Sequence, residues 1–203
     1  MFTVDLEPDW GLAGTRGVRE ILPRLLELLD AREIPATFFV TGLLAETCRD
    51  DLLRIGPRHE IASHGFTHRR FDALSREEVR EELHRSRAAL EGLGREVTGV
   101  RAPFFATPPT WLDEAAAAGY RYDASAGSVR PSFRNRRWPE AGGLLPRLGV
   151  SVFRDGLTPF CLTYLRLYHP FGLRWMPRQP RLFYLHLHEF LPAAAASGLC
   201  SRI

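Results

Sequence analysis

Residues 35–42 read Pro-Ala-Thr-Phe-Phe-Val-Thr-Gly. Between the proline and the glycine, Ala36 to Val40 is a run without a charged residue, rich in β-branched and aromatic side chains, as a strand buried on both faces requires. Strands of that kind belong to parallel sheets covered by helices, and the flanking sequence agrees. Upstream, residues 2–5 read as a strand, and residues 16–31 carry Val18, Ile21, Leu22, Leu25, Leu26 and Leu29 at helical spacing despite Pro23. Downstream, a helix is expected over 43–55 and a short strand over 60–63. Ser75 with Glu78 forms a capping box that opens a helix carrying Val79, Leu83 and Leu90 before Gly92. Strands are expected over 97–101 and 120–124, with a helix over 110–118 that follows Pro108 and Pro109 and stops at Gly119. Residues 126–182 are rich in Gly, Pro and Arg and yield only a strand near 150–153. An apolar strand over 182–188 closes the series, and residues 193–203 read as a tail or short helix. This β-α alternation predicts a parallel α/β architecture.

At 203 residues the chain suits one domain, and 45% hydrophobic with 25% charged residues is ordinary for a soluble globular protein. All 27 basic side chains are arginine, which excludes Schiff-base, pyridoxal-phosphate and P-loop chemistry, each of which needs a lysine amine. The net charge of +3 is small and interspersed, apart from Arg130, Arg134, Arg136 and Arg137, so no nucleic-acid partner is expected. Cys48, Cys161 and Cys200 are odd in number and contain no CxxC pair, which argues against a disulfide framework or zinc knot. There is no signal-peptide pattern at the N-terminus and no transmembrane run, so a cytoplasmic setting is expected.

Side chains capable of chemistry fall at the C-terminal ends of the expected strands: Asp5, Glu7 and Asp9 after the first, His64 and His68 after the third, Arg101 after the fourth and His186 at the last. In a parallel barrel or open α/β sheet, sites assemble at that edge. Two histidines four residues apart reach one divalent cation if the chain turns helically after Gly65, and a carboxylate from the first strand would complete a two-histidine, one-carboxylate set. Pro8 ends strand pairing, which leaves Glu7 and Asp9 equally open as that carboxylate. His59, His84 and His169 read as surface or structural, Phe38 and Phe39 as core, and Trp10 as either an exposed stacking surface or a core side chain.

Several segments, in order, resemble the polysaccharide deacetylase family, carbohydrate esterase family 4 with the NodB homology domain. They are Thr3-Val4-Asp5-Leu6-Glu7-Pro8-Asp9-Trp10, Ala36-Thr37-Phe38-Phe39-Val40-Thr41-Gly42, Ser63-His64-Gly65-Phe66-Thr67-His68, Arg101-Ala102-Pro103-Phe104, Tyr120-Arg121-Tyr122-Asp123-Ala124-Ser125 and Tyr184-Leu185-His186. The first departs from the common pattern of two adjacent acids. The aspartate and tryptophan motif that supports the acid in many members is not recognisable, although Trp138 or Trp175 could supply its packing. The resemblance implies a distorted (β/α) barrel with fewer than eight regular units. It also implies a divalent metal, most often zinc, held by His64, His68 and one acid, and hydrolysis of an N-acetyl group on a sugar substrate. In that scheme Asp5 is the general base, His186 the general acid, Arg101 the partner that orients Asp5, and the backbone N–H of Phe104 a donor to the oxyanion. The alternatives are a catalytically silent carbohydrate-binding relative, or a hydrolase of another C–N bond such as a cyclic amide or imide.

Overall fold

In the computed structural model, β1 spans Phe2–Leu6, β2 Ala36–Val40, β3 Glu60–Ser63, β4 Gly99–Val100, β5 Tyr122–Ala126, β6 Arg147–Gly149 and β7 Phe183–His186. The helices are α1 (Leu22–Ala31), α2 (Gly42–Thr47), α3 (Arg49–Leu52), α4 (Arg76–Glu91), α5 (Trp111–Ala117) and α6 (Leu162–Leu167). The structure describes residues 1–9, 14–126, 145–153, 158–169, 174, 176–177 and 182–191. Trp10, the arginine run from 130 to 137, Trp138, Trp175, Cys200 and the tail over 193–203 lie outside them. Cys48 and Cys161 are buried free thiols.

All the strand pairings are parallel, in the order β6-β5-β4-β3-β2-β1-β7. Strand alternation sorts the side chains onto two faces. On β1, Val4 and Leu6 join Phe38, Val40, Leu22 and Leu26 in the main core beneath the helices. Thr3 and Asp5 face the other way and meet Arg101 Nη1 at 3.1 and 2.5 Å. Arg101 follows β4, and β3 and β2 lie between β4 and β1, so that contact crosses the inside of a curled sheet. The segments that flank the two outer strands, just past β6 and just before β7, come together as well. Ser151 N–H donates to the Leu182 carbonyl at 3.1 Å, and Leu182 N–H to Ser151 Oγ at 3.0 Å. The result is a distorted barrel of seven parallel strands.

Several expected boundaries shift. A π-helical turn over Gly17–Ile21 leads into α1. The helix expected over 43–55 breaks at Cys48, directly after Thr47, whose hydroxyl bonds back to the Leu43 carbonyl at 2.8 Å, a competitor to regular helix. The strand expected near 150–153 lies earlier, at β6, with an isolated bridge between Val152 and Pro159. The strand expected over 182–188 ends at His186, because Glu189 Oε2 accepts the His186 N–H at 2.8 Å and the chain turns into a 3-10 helix over Leu187–Phe190. His188 therefore leaves the strand. His59 is buried and structural, accepting the Ala36 N–H on Nδ1 at 3.2 Å.

Candidate active site

Asp5 and His186 are Cα partners in the β1–β7 register, and Glu7 follows β1 by one residue. His64 extends β3, with its N–H on the Val40 carbonyl at 2.9 Å. Parallel strands thus deliver two carboxylates and two imidazoles to one edge of the barrel.

Glu7, His64 and His68 form a cluster whose candidate ligand atoms all lie within 4.8 Å of one another. His64 Nδ1 is 2.9 Å from the Arg101 carbonyl, which can only accept, so Nδ1 carries the proton and the Nε2 lone pair faces Glu7 Oε2 at 3.9 Å. Burial pushes the His64 pKa down to about 4, which keeps that ring neutral near pH 7. Burial also opposes the charge on Glu7. The hydrogen bond from His68 and the nearby His186, His68 and His64 outweigh it, and the Glu7 pKa falls to about 2. His68 Nε2 contacts the same Glu7 oxygen. One carboxylate and two imidazole nitrogens are a donor set that fits zinc or a similar divalent ion.

The segment between the two histidines is not helical. Gly65 has φ 74° and His68 φ 63°, and Phe104 and Phe105 beside them have φ 57° and 55°. A non-glycine residue held in such a conformation costs about 1–3 kcal/mol and persists only where its surroundings enforce it. The Phe104 ring lies 4.8 Å from that of His68 and is 42% exposed, so it forms an open wall of the site.

Asp5 is buried against Arg101, which is itself fully enclosed. The Arg101 Nε donates to the Ala124 carbonyl at 3.2 Å, and its guanidinium lies 4.0 Å from the Phe39 ring centroid. Such an aromatic and hydrogen-bonded cage suits a delocalised cation. Phe39 is fully buried in a core cluster with Ala62 and Ala124, as expected, and also serves as the platform for Arg101.

His186 Nε2 lies 3.9 Å from Asp5 Oδ2, and its Nδ1 3.6 Å from Glu189 Oε2. Burial works against a charged ring here, but Glu189, Glu7 and Asp5 outweigh it and raise the pKa to about 9. His188 stacks on His186 at 5.1 Å and places Nδ1 3.7 Å from Glu7 Oε1.

Asp9 lies apart from the cluster. Its Oδ2 accepts the Arg16 N–H at 2.7 Å and its Oδ1 the Gly17 N–H at 2.9 Å. The carboxylate thus binds the backbone donors that open the first helical segment. A Cβ at Gly14 or Gly17 would come within 2.8 Å of Asp9 oxygens, so these glycines admit the close approach. Of the two acids that spacing leaves open, Glu7 therefore stands with the histidines. Two further carboxylates, Glu82 and Glu189, engage the site loops and escape sequence reasoning. The one signal for Glu189 is its place three residues after His186.

A family model described as polysaccharide deacetylase matches residues 2–122. Among curated proteins, a chitooligosaccharide deacetylase of Sinorhizobium fredii is 30% identical over 124 residues, covering 59% of this chain and 54% of the relative. A peptidoglycan deacetylase of Helicobacter pylori is 28% identical over 106 residues, covering 51% of this chain and 36% of the relative. The matches thus span about half or less of those relatives' lengths. Among solved structures, a candidate polysaccharide deacetylase from Mycobacterium smegmatis superposes with TM-score 0.64 at 23% identity, covering 96% of this chain and 80% of that one. A CE4 family pseudoenzyme from Bacillus anthracis superposes with TM-score 0.57 at 17% identity, covering 92% and 54%.

Proposed function

The chain belongs to the polysaccharide deacetylase family, and from that premise we propose that it is a metal-dependent hydrolase removing N-acetyl groups from an amino sugar of a polysaccharide or glycolipid. The observation that carries this reading is the Glu7, His64 and His68 cluster beside the Asp5–Arg101 pair and His186, at one edge of the barrel.

Glu7, His64 and His68 would hold a divalent cation, with zinc the first choice for this donor set. Such an ion, when bound, lowers the pKa of its water toward about 7 and polarises a carbonyl oxygen. Asp5, held in place by Arg101, takes the proton from the attacking water. Attack on the acetyl carbon builds negative charge on the former carbonyl oxygen, and the backbone N–H of Phe104 is the donor for it. Collapse of that tetrahedral species needs a proton on the departing nitrogen. His186 supplies it, since its neighbours keep the ring charged at neutral pH. The open Phe104 ring beside His68 offers the substrate an apolar face.

The test is acetate release from chito-oligosaccharides and other N-acetylated glycans by zinc-loaded protein. Release that depends on zinc and on His64 supports the reading. Sugar binding without release supports a silent carbohydrate-binding relative instead, and release from neither sugar class overturns the proposal.

A further inference from the structure

The left-handed backbone at His68 needs something to enforce it, and the loop before it is held from both sides. Its carbonyls are bound by the first turn of α2, with Gly42 N–H on the Gly65 carbonyl at 2.9 Å and Leu43 N–H on the Phe66 carbonyl at 3.0 Å. Its amides are bound from α4. Glu82 Oε2 accepts the Phe66 N–H at 2.8 Å and the Thr67 N–H at 2.9 Å, and Glu82 Oε1 accepts the Thr67 hydroxyl. The Phe66 ring is fixed as well. A Cβ on Gly42 would lie 2.4 Å from it, and the Arg85 guanidinium sits 3.9 Å from its centroid.

Glu82 is 7% exposed, and among α4's acids Glu78, Glu81 and Glu91 are the ones that meet arginines, Arg69, Arg85 and Arg87 respectively. A buried carboxylate is costly unless its lone pairs are filled, and those of Glu82 are filled by the loop between the two histidines. A helix that needed only packing at this position would carry an apolar residue, as it does at Val79, Leu83 and Leu90.

We infer that Glu82 is a positioning residue for cation binding: by gripping the amides of Phe66 and Thr67 it sets the backbone that presents His68 to Glu7 and His64. The inference rests on the reading of those three residues as the cation site. Groups that orient metal ligands typically change affinity by about 10–100-fold when removed. Glu82→Ala is therefore expected to weaken zinc binding to the full chain by that factor, measured by chelator competition. With cobalt substituted for zinc, its visible spectrum should change as the histidine geometry relaxes. Glu82→Gln keeps an acceptor oxygen for the two amides and is expected to stay within about threefold of the parent protein. A purely structural role would lower the melting temperature and leave both the affinity and the cobalt spectrum of the folded protein unaltered.

Glu82→Ala that folds and binds zinc as tightly as the parent overturns the inference alone. Parent protein that binds no zinc, in a form where His64→Ala makes no difference, overturns the cation site and this inference with it. If Glu82→Ala does not fold, Glu82→Asp decides, since it keeps the charge and draws the carboxylate back by one methylene from the amides of Phe66 and Thr67. A loss of several-fold in zinc affinity supports the inference, and none overturns it.

Discussion

His186 draws its charge from three carboxylates on two segments, Asp5 and Glu7 at the end of β1 and Glu189 on the following 3-10 turn. Its pKa in the fold, about 9, lies above the ordinary 6.5, so folding favours the protonated ring. The associated stability is fully present below about pH 6.5 and is lost as pH rises through about 9. Chemical denaturation across that range should show the parent protein declining toward a His186→Gln variant, and parallel curves would refute the assignment. In catalysis the same variant should lose about 10²–10⁴-fold on N-acetyl sugars. It should be nearly unaffected on 4-nitrophenyl acetate, whose leaving group needs no proton. His64→Ala should lose stoichiometric zinc and at least about 100-fold in acetate release, since even groups behind the ligands count for 10–100-fold. Residues close in sequence were the hard ones to sort by spacing. Glu7 and Asp9 differ by two positions, and their separation is set by where Arg16 and Gly17 present free backbone donors, which no local pattern around Pro8 encodes.

Among the elements, the runs with the strongest local signals match their expected bounds, β2 at Ala36–Val40, β3 at Glu60–Ser63 and α4 behind its Ser75–Glu78 box. Those signals are local: an unbroken β-branched and aromatic run, and a side chain bonding a backbone three residues away. Elements defined by partners were obscure. α6 carries little apolar periodicity, and its Thr163 and Arg166 instead tie to the Glu189 carboxylate and carbonyl. β4 is only Gly99–Val100, shorter than expected over 97–101, and its Gly99 leaves room for Tyr122 from β5. A Cβ on Gly99 would fall 2.1 Å from the Tyr122 ring, so Gly99→Ala should destabilise by about 1–3 kcal/mol, read as a shift in denaturation midpoint. Pairing it with Tyr122→Phe should relieve little, since ring carbons lie within the same clash, whereas Tyr122→Ala should restore the space.

For the molecule as a whole, Arg101 is a strut across the barrel, joining β4 to Thr3 and Asp5 of β1 and to the Ala124 carbonyl of β5. Removing one member of a buried ion pair typically costs about 3–5 kcal/mol. Arg101→Met should approach that loss, and adding Asp5→Asn should return part of it by removing the unpaired charge. A loss for the double variant equal to the sum of the two single losses would show that the pair has no coupling. Fold class was readable because β-α alternation and the expected strand ends are repeated along the chain. The barrel itself was legible only through the family resemblance, since contacts that cross its inside, such as Arg101 to Asp5, join residues 96 apart in sequence.

The pairing of β7 with β1 also bears on how the protein is made. Asp5 leaves the ribosome well before its register partner His186, which lies beyond every other strand of the sheet in sequence. Until then one edge of β1 has no neighbour, an exposed row of amides and carbonyls open to pairing with other chains. A nascent chain halted before β7 would hold Glu7, His64 and His68, yet lack His186, and would need sheltering from self-association until β7 arrived.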